Sequence, residues 1–148
     1  MTEHYQVAIV GSGPCGMSAG GRAAEQKVSH IVFERTDHLS DTIYKYQKGK
    51  HVMATPDVLP LRSSMPFDAG TREAILGKWD DQTGSLGVNV RYNAEVTAIA
   101  GEKGNFTVTL KNGETVTADN VVLGIGLQGN LRQLACPGGD WGGVQYQL

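Results

Sequence analysis

Gly11, Gly13 and Gly16 stand in the run GSGPCG, directly after the apolar residues 7–10 and at the head of a stretch of small residues. Glycines at these spacings bring bare backbone against an anion. The first permits a tight turn, the second leaves room for a pyrophosphate, and the third lets a helix pack closely on a strand. Ser12, Pro14 and Cys15 fill the loop between them. Pro14 suits a first helical turn, where its missing N–H is not needed. A helix opening here offers free N–H groups and a partial positive charge to phosphates. Alone, the run is a weak signal; its place between a strand and a helix gives it meaning.

A carboxylate completes the set. Glu34 closes the next apolar run, SHIVFE, 18 residues after Gly16. An acid there can accept hydrogen bonds from adenosine ribose hydroxyls and would repel a 2′-phosphate, which disfavours NADP at this site. Arg35 beside it softens that repulsion. The plain alternative, a glycine turn followed by a solvent-facing Glu, leaves the order of strand, fingerprint, helix, strand and acid unexplained. Cys15 has a position that can lower a thiol pKa, although a small residue beside a cofactor is the simpler account.

The elements that must position these residues follow from periodicity. Residues 5–10 read as a buried strand and 14–26 as a helix with a small face of Ala19, Gly20, Ala23 and Ala24. Residues 29–34 read as a second strand, giving a right-handed βαβ unit. Residues 35–66 show no sustained period, over a length that is uncommon in compact domains and often functional. A helix is expected over 69–82, capped by Asp68 and carrying Ala74, Ile75 and Trp79 at helical spacing. GVNVRY reads as a strand. The EKGN turn and the KNGE hairpin signal predict three short antiparallel strands, a meander over about 94–118. A final buried strand, NVVLGIG, then ends in glycines, and a turn-rich tail follows. The expected fold class is α/β: a Rossmann-like parallel sheet with flanking helices and a small three-stranded antiparallel meander, in one domain over 1–148.

Bulk properties exclude several classes. The 148 residues suit one domain, and 40% hydrophobic with 19% charged residues argue against disorder. A net charge of −2 is unlike a nucleic-acid or polybasic membrane binder. No apolar run approaches the roughly 20 residues of a membrane span, and Thr2, Glu3 and His4 lack signal-peptide character. Cys15 and Cys136 make no disulfide framework and no CxxC; Cys136 is expected to pack internally, and a reducing cytoplasm is the expected setting. His4, His30, His38 and His51 lack metal-ligand spacing, so no metal is expected. No catalytic acid or base can be assigned. Lys45, Lys48, Lys50 and His51 form a basic cluster that is either a solvated face or an attraction for an anion.

The fingerprint does not choose between FAD and NAD, but the later order of elements does. A plain NAD domain would continue to alternate strands and helices, whereas this chain inserts a meander before its last strand. In this it resembles the FAD domain of the pyridine nucleotide-disulfide oxidoreductase and thioredoxin-reductase-like superfamily. The matching stretches are VAIVGSGPCGMSAGGRAAE with Glu34, then AEVTAI, then TADNVVLGIGLQGNLRQLACPGGD. The resemblance implies FAD as cofactor, with GSGPCG on its pyrophosphate, Glu34 on its ribose and the Val96 backbone at its adenine. The family's ATG signature corresponds to Gly124-Ile125-Gly126, a departure that keeps close glycine backbone and loses a hydroxyl. Ser40, Asp41, Thr42 and Tyr44 fall where the family runs its chain along pyrophosphate, ribitol and flavin.

Family members also carry a second glycine fingerprint for NAD(P)H, which does not follow here. The resemblance therefore implies the first FAD segment of a larger flavin-dependent NAD(P)H oxidoreductase, unable to turn over alone. Its partners would be FAD and the nicotinamide domain, and a homodimer is compatible with the sequence. The alternatives are a stand-alone adenine-dinucleotide-binding module without catalysis and an NAD-dependent dehydrogenase domain. Trp141 in the tail either packs against a further domain or lies on a surface turn.

Overall fold

A computed structural model describes residues 2–54, 61–127, 132–144 and 146. Parts of the irregular segment, of the stretch after GIG and of the alternating tail fall outside the described residues. The chain opens with β1 (His4–Val10), α1 (Pro14–Glu25) and β2 (His30–Phe33), and continues through the four-residue α2 (Asp41–Tyr44) and two short strands, β3 (His51–Val52) and β4 (Gly70–Thr71). Then come α3 (Arg72–Leu86), β5 (Val90–Arg91), β6 (Val96–Glu102), β7 (Asn105–Leu110) and β8 (Thr115–Leu123). One six-stranded sheet has the order β5-β2-β1-β8-β7-β6. β5, β2, β1 and β8 are parallel, and β7 and β6 extend them antiparallel. β3 and β4 form a separate antiparallel pair. This is the α/β Rossmann-like fold, with a mixed sheet.

The sheet buries both faces at its centre, as parallel strands require: all four residues of β2 are buried, whereas the edge strand β6 is largely exposed. On one face Ile9 and Val32 pack with Met17 of α1 and with Ile75 and Trp79 of α3. On the other, Ala8, Ile31 and Phe33 pack with Val108, Leu110, Val116 and Ala118. The buried side of α1 is Gly16, Met17, Gly20, Gly21 and Ala23, a face turned from the expected one toward the glycines. Added Cβ atoms show why: one on Gly20 would lie 2.9 Å from methyls of both Val32 and Val88.

Several boundaries differ from the sequence reading. The third meander strand and the separate final strand are one element, β8, which pairs with β7 through 115–118 and with β1 through 117–123. Asp119 and Asn120 look like a break but stay extended because each finds a partner. Asp119 meets His4 Nε2 at 3.2 Å, and the Asn120 amide donates to the Gln6 carbonyl at 3.1 Å. The end of β8 is not buried, with Leu123 60% exposed. The long helix starts at Arg72, and its cap is Thr71 rather than Asp68: the Thr71 hydroxyl accepts from Ala74 N–H at 3.3 Å. It runs on to Leu86 and stops at Gly87, whose φ of 67° is left-handed. Cys136 is exposed, not packed; it opens a turn in which Gly139 N–H donates to its carbonyl at 3.0 Å.

Candidate functional site

Three loops meet at the C-terminal ends of β1, β2 and β8, where ligands bind in open α/β sheets. Gly11 leaves β1 with φ +96°, and its N–H donates to the Phe33 carbonyl at 2.8 Å. A Cβ on Gly16 would sit 1.8 Å from the Gly11 oxygen, and one on Gly11 would sit 2.6 Å from the Gly124 oxygen. Gly124 N–H in turn donates to the Val10 carbonyl at 2.8 Å. Backbone thus stacks on backbone at three levels, and no side chain fits between them.

Gly13 is different. Its φ of −69° and ψ of −177° suit any residue, and a Cβ there would meet nothing within 4 Å. The fold does not require glycine at this position, but an approaching pyrophosphate would. Gly13 is also the N-cap of α1, which has no side-chain cap, Pro14 in its first turn and no acidic residue there. An uncapped, positively polarised helix end beside the unfilled space at Gly13 fits an anionic dinucleotide. Cys15 is exposed on the same turn.

Glu34 lies beneath this loop, 5% exposed. Its Oε2 accepts from Ser12 N–H at 3.1 Å and from the Ser12 hydroxyl at 2.5 Å. Its Oε1 accepts from Thr36 N–H and lies 3.0 Å from the Thr36 hydroxyl. Ser40 closes the group: its N–H donates to Ser12 Oγ and its hydroxyl to the Ser12 carbonyl, both at 3.0 Å. Ser40 holds φ 53° and ψ 55°, a left-handed conformation that costs a non-glycine residue about 1–2 kcal/mol. Its two bonds to Ser12 offset that strain and tie the segment after β2 to the glycine loop. The Ser40 hydroxyl is therefore committed within the protein.

Around this centre the other candidates take separate places. Arg35 reaches Asp41 at 3.0 Å. Asp41 also accepts from Lys45 at 2.8 Å and meets His38 Nε2 at 3.2 Å. Burial opposes the Asp41 charge, but the hydrogen bonds from Lys45, Arg35 and His38 outweigh it and hold the carboxyl below its ordinary pKa. Thr42 is exposed on α2, and the Tyr44 ring stacks on His38 with centroids 3.6 Å apart. Val96 opens β6 opposite Leu110. Asn93 N–H donates to the Thr36 carbonyl and Ala94 N–H to the Glu34 carbonyl, which draws the approach to Val96 alongside Glu34. An open depression of about 340 Å³ lies there, lined by Arg35, Asn93, Glu95, Leu110, Lys111 and Asn112. Gly126 follows β8 with φ +66°, and Ile125 beside it is 65% exposed.

The structure thus gathers Gly11, Ser12, Gly13, Pro14, Cys15, Gly16, Glu34, Ser40 and Gly124 into one site. Arg35 and Val96 flank it, and Thr42 stands apart on α2. Thr36 was not legible as part of it; the available signal was a hydroxyl residue two positions after the acid, a spacing at which side chains bond nearby backbone. Among the described residues, no group of His, Cys, Asp and Glu is placed to hold a metal, and no helix is long and apolar enough to cross a membrane.

Known proteins are similar to this chain at low identity. Ferredoxin–NADP reductase of Leuconostoc mesenteroides is 24% identical over 126 residues, covering 85% of this chain and 35% of that protein. Bacillithiol disulfide reductase of Staphylococcus aureus superposes with a TM-score of 0.78 at 18% identity, over 95% of this chain and 44% of that one. A flavin-containing monooxygenase from Stenotrophomonas maltophilia gives a TM-score of 0.73 at 15% identity, over 90% and 42%. The two structures share the fold, and the chain spans about a third of the length of the curated relative. Matched over residues 5–138, the chain belongs to the pyridine nucleotide-disulphide oxidoreductase family.

Proposed function

We propose that this chain is the FAD-binding portion of a flavin-dependent NAD(P)H oxidoreductase. The observation that carries the reading is Gly13: a glycine the fold does not need, at an uncapped helix end, over a backbone stack of Gly11, Gly16 and Gly124. The N–H groups at the start of α1 would hold the pyrophosphate, Glu34 a ribose hydroxyl, and the Val96 backbone the adenine. The antiparallel β6 and β7, placed before the last parallel strand, favour FAD over NAD alone. When bound, FAD supplies hydride and electron transfer, while the protein supplies orientation and electrostatics. The nicotinamide nucleotide would come from a further domain, in keeping with the 35% share of the curated relative that the chain spans. The setting we propose is cytoplasmic, where the free Cys15 and Cys136 stay reduced.

The test is to add FAD and NAD⁺ separately to the purified chain and follow binding by calorimetry and absorbance. FAD is expected to bind, giving flavin bands near roughly 370 and 450 nm, and to shield Cys15 from a thiol reagent. NADPH alone should not bleach the bound flavin rapidly. Binding of NAD⁺ but not FAD would make this an NAD-dependent dehydrogenase domain, and rapid bleaching would give the isolated chain turnover of its own.

A further inference from the structure

Glu34 carries more donors than a ligand-facing carboxylate would be expected to keep. A carboxylate has about four acceptor sites, two on each oxygen. Ser12 supplies two donors to Oε2, and Thr36 offers two to Oε1. The donors on the two oxygens are not equivalent. Ser12 is fully buried, and its hydroxyl sits in a fixed chain: Ser40 N–H donates to Ser12 Oγ, so the Ser12 proton must point at Glu34. The Thr36 hydroxyl has one proton and two acceptors in reach, Glu34 Oε1 at 3.0 Å and the His38 carbonyl at 2.9 Å. It can leave Glu34 without losing a hydrogen bond.

We propose that Ser12 is a positioning residue that clamps Oε2 of Glu34, and that the Thr36 hydroxyl is a releasable donor that turns to His38 and frees an Oε1 site for a ribose hydroxyl. This rests on the reading of the site as one for an adenine dinucleotide and assigns its two oxygens different tasks. The clamp fixes where the carboxylate points, and the release leaves no protein donor unpaired when the ligand hydroxyl arrives. Buried polar groups left unpaired carry a large penalty, so an exchange of partners at Oε1 is the economical route to discriminating a ribose that bears hydroxyls.

The test uses the 148-residue chain and two probes, ADP and 2′,3′-dideoxy-ADP, titrated by calorimetry. The readout is the ratio of their dissociation constants within each variant. A partly unfolded variant weakens both constants by the same factor, so a purely structural defect leaves the ratio unmoved. The wild type should prefer ADP by about tenfold, in line with a hydrogen bond to a charged group. Ser12→Ala should bring the preference close to one. Thr36→Val, which keeps the side-chain shape and the N–H, should hold the preference at or above the wild-type value. An unchanged ratio in Ser12→Ala would overturn the clamp, and a collapsed ratio in Thr36→Val would overturn the release. If the wild type binds neither probe, the dinucleotide reading itself fails. If it binds both equally, Glu34 does not read the ribose and the inference falls while nucleotide binding stands.

Discussion

At Gly16 and Gly13 the same substitution should have opposite consequences. A Cβ at Gly16 falls inside the Gly11 carbonyl, at 1.8 Å, and only backbone can move to relieve it. Gly16→Ala should therefore destabilise the chain by roughly 3 kcal/mol or more in urea unfolding. A Cβ at Gly13 meets nothing, so Gly13→Ala should stay within about 1 kcal/mol of wild type, the scale of an N-cap change. It should nevertheless weaken FAD binding by at least about tenfold, because the methyl occupies the space of the pyrophosphate. An equal loss of stability in both variants would remove the argument that Gly13 is kept for a ligand. The spacing of the three glycines and of Glu34 was legible in the sequence because each requirement is local. Ser40 was legible only through the family resemblance, as a candidate for bonds to a cofactor, because its bonds to Ser12 depend on a left-handed turn that brings the chain back; Thr36, two residues from Glu34, carried a local signal that the sequence reading did not use.

Helix α1 shows how an element takes its sequence from its neighbours rather than from helix propensity. Alanine is a better helix former than glycine by about 1 kcal/mol, yet Gly20 faces methyls of Val32 and Val88 at 2.9 Å from an added Cβ. Gly20→Ala should be destabilising by about 1–2 kcal/mol, the crowding outweighing the propensity gain. In α3, Gly77 is exposed with nothing within 4 Å of an added Cβ. There Gly77→Ala should stabilise by about 0.5–1 kcal/mol. Chemical denaturation of the two variants checks both signs. That α1 is a helix with a small-residue face, and that β6 and β7 are strands, could be read because each pattern repeats within one element, although the buried side of α1 lies further toward its glycines than the sequence suggested. The start of α3 could not, since Thr71 becomes its cap only when Gly70–Thr71 pairs with His51–Val52 across the irregular segment. For the same reason β8 read as two strands: its partners on either edge, β7 and β1, lie at opposite ends of the sequence.

Across the whole molecule, carboxylates join segments that are distant in sequence, and this sets the response to acid. Glu3 pairs with Arg91 of β5, Glu25 accepts from Ser64 N–H, and Glu73 accepts from Gly49 N–H. Asp41 gathers Arg35, His38 and Lys45 around α2. All four carboxyls sit below their ordinary pKa: Glu3 through the Arg91 hydrogen bond, Glu25 through that from Ser64 N–H, Glu73 through backbone hydrogen bonding, and Asp41 through the hydrogen bonds of Lys45, Arg35 and His38 acting against burial. A carboxyl with a lowered folded pKa binds protons more readily when the chain is unfolded. Its stabilisation is fully present above the unfolded value, about pH 4, and is lost as pH falls through the folded value. The carboxylate part of stability should thus be flat above about pH 5 and fall below about pH 4. Asp41→Asn tests this directly, because it removes one carboxylate while keeping the side-chain shape. At pH 7 it should cost about 1–2 kcal/mol, the scale of hydrogen bonds to a charged group in a partly buried site. The difference from wild type should shrink as both are titrated below about pH 4, where the wild-type carboxyl is itself being protonated. Thermal unfolding of the two proteins from pH 7 to pH 3 measures the convergence. A gap that stays constant over that range would assign the Asp41 contribution to its shape and neutral hydrogen bonds instead of its charge.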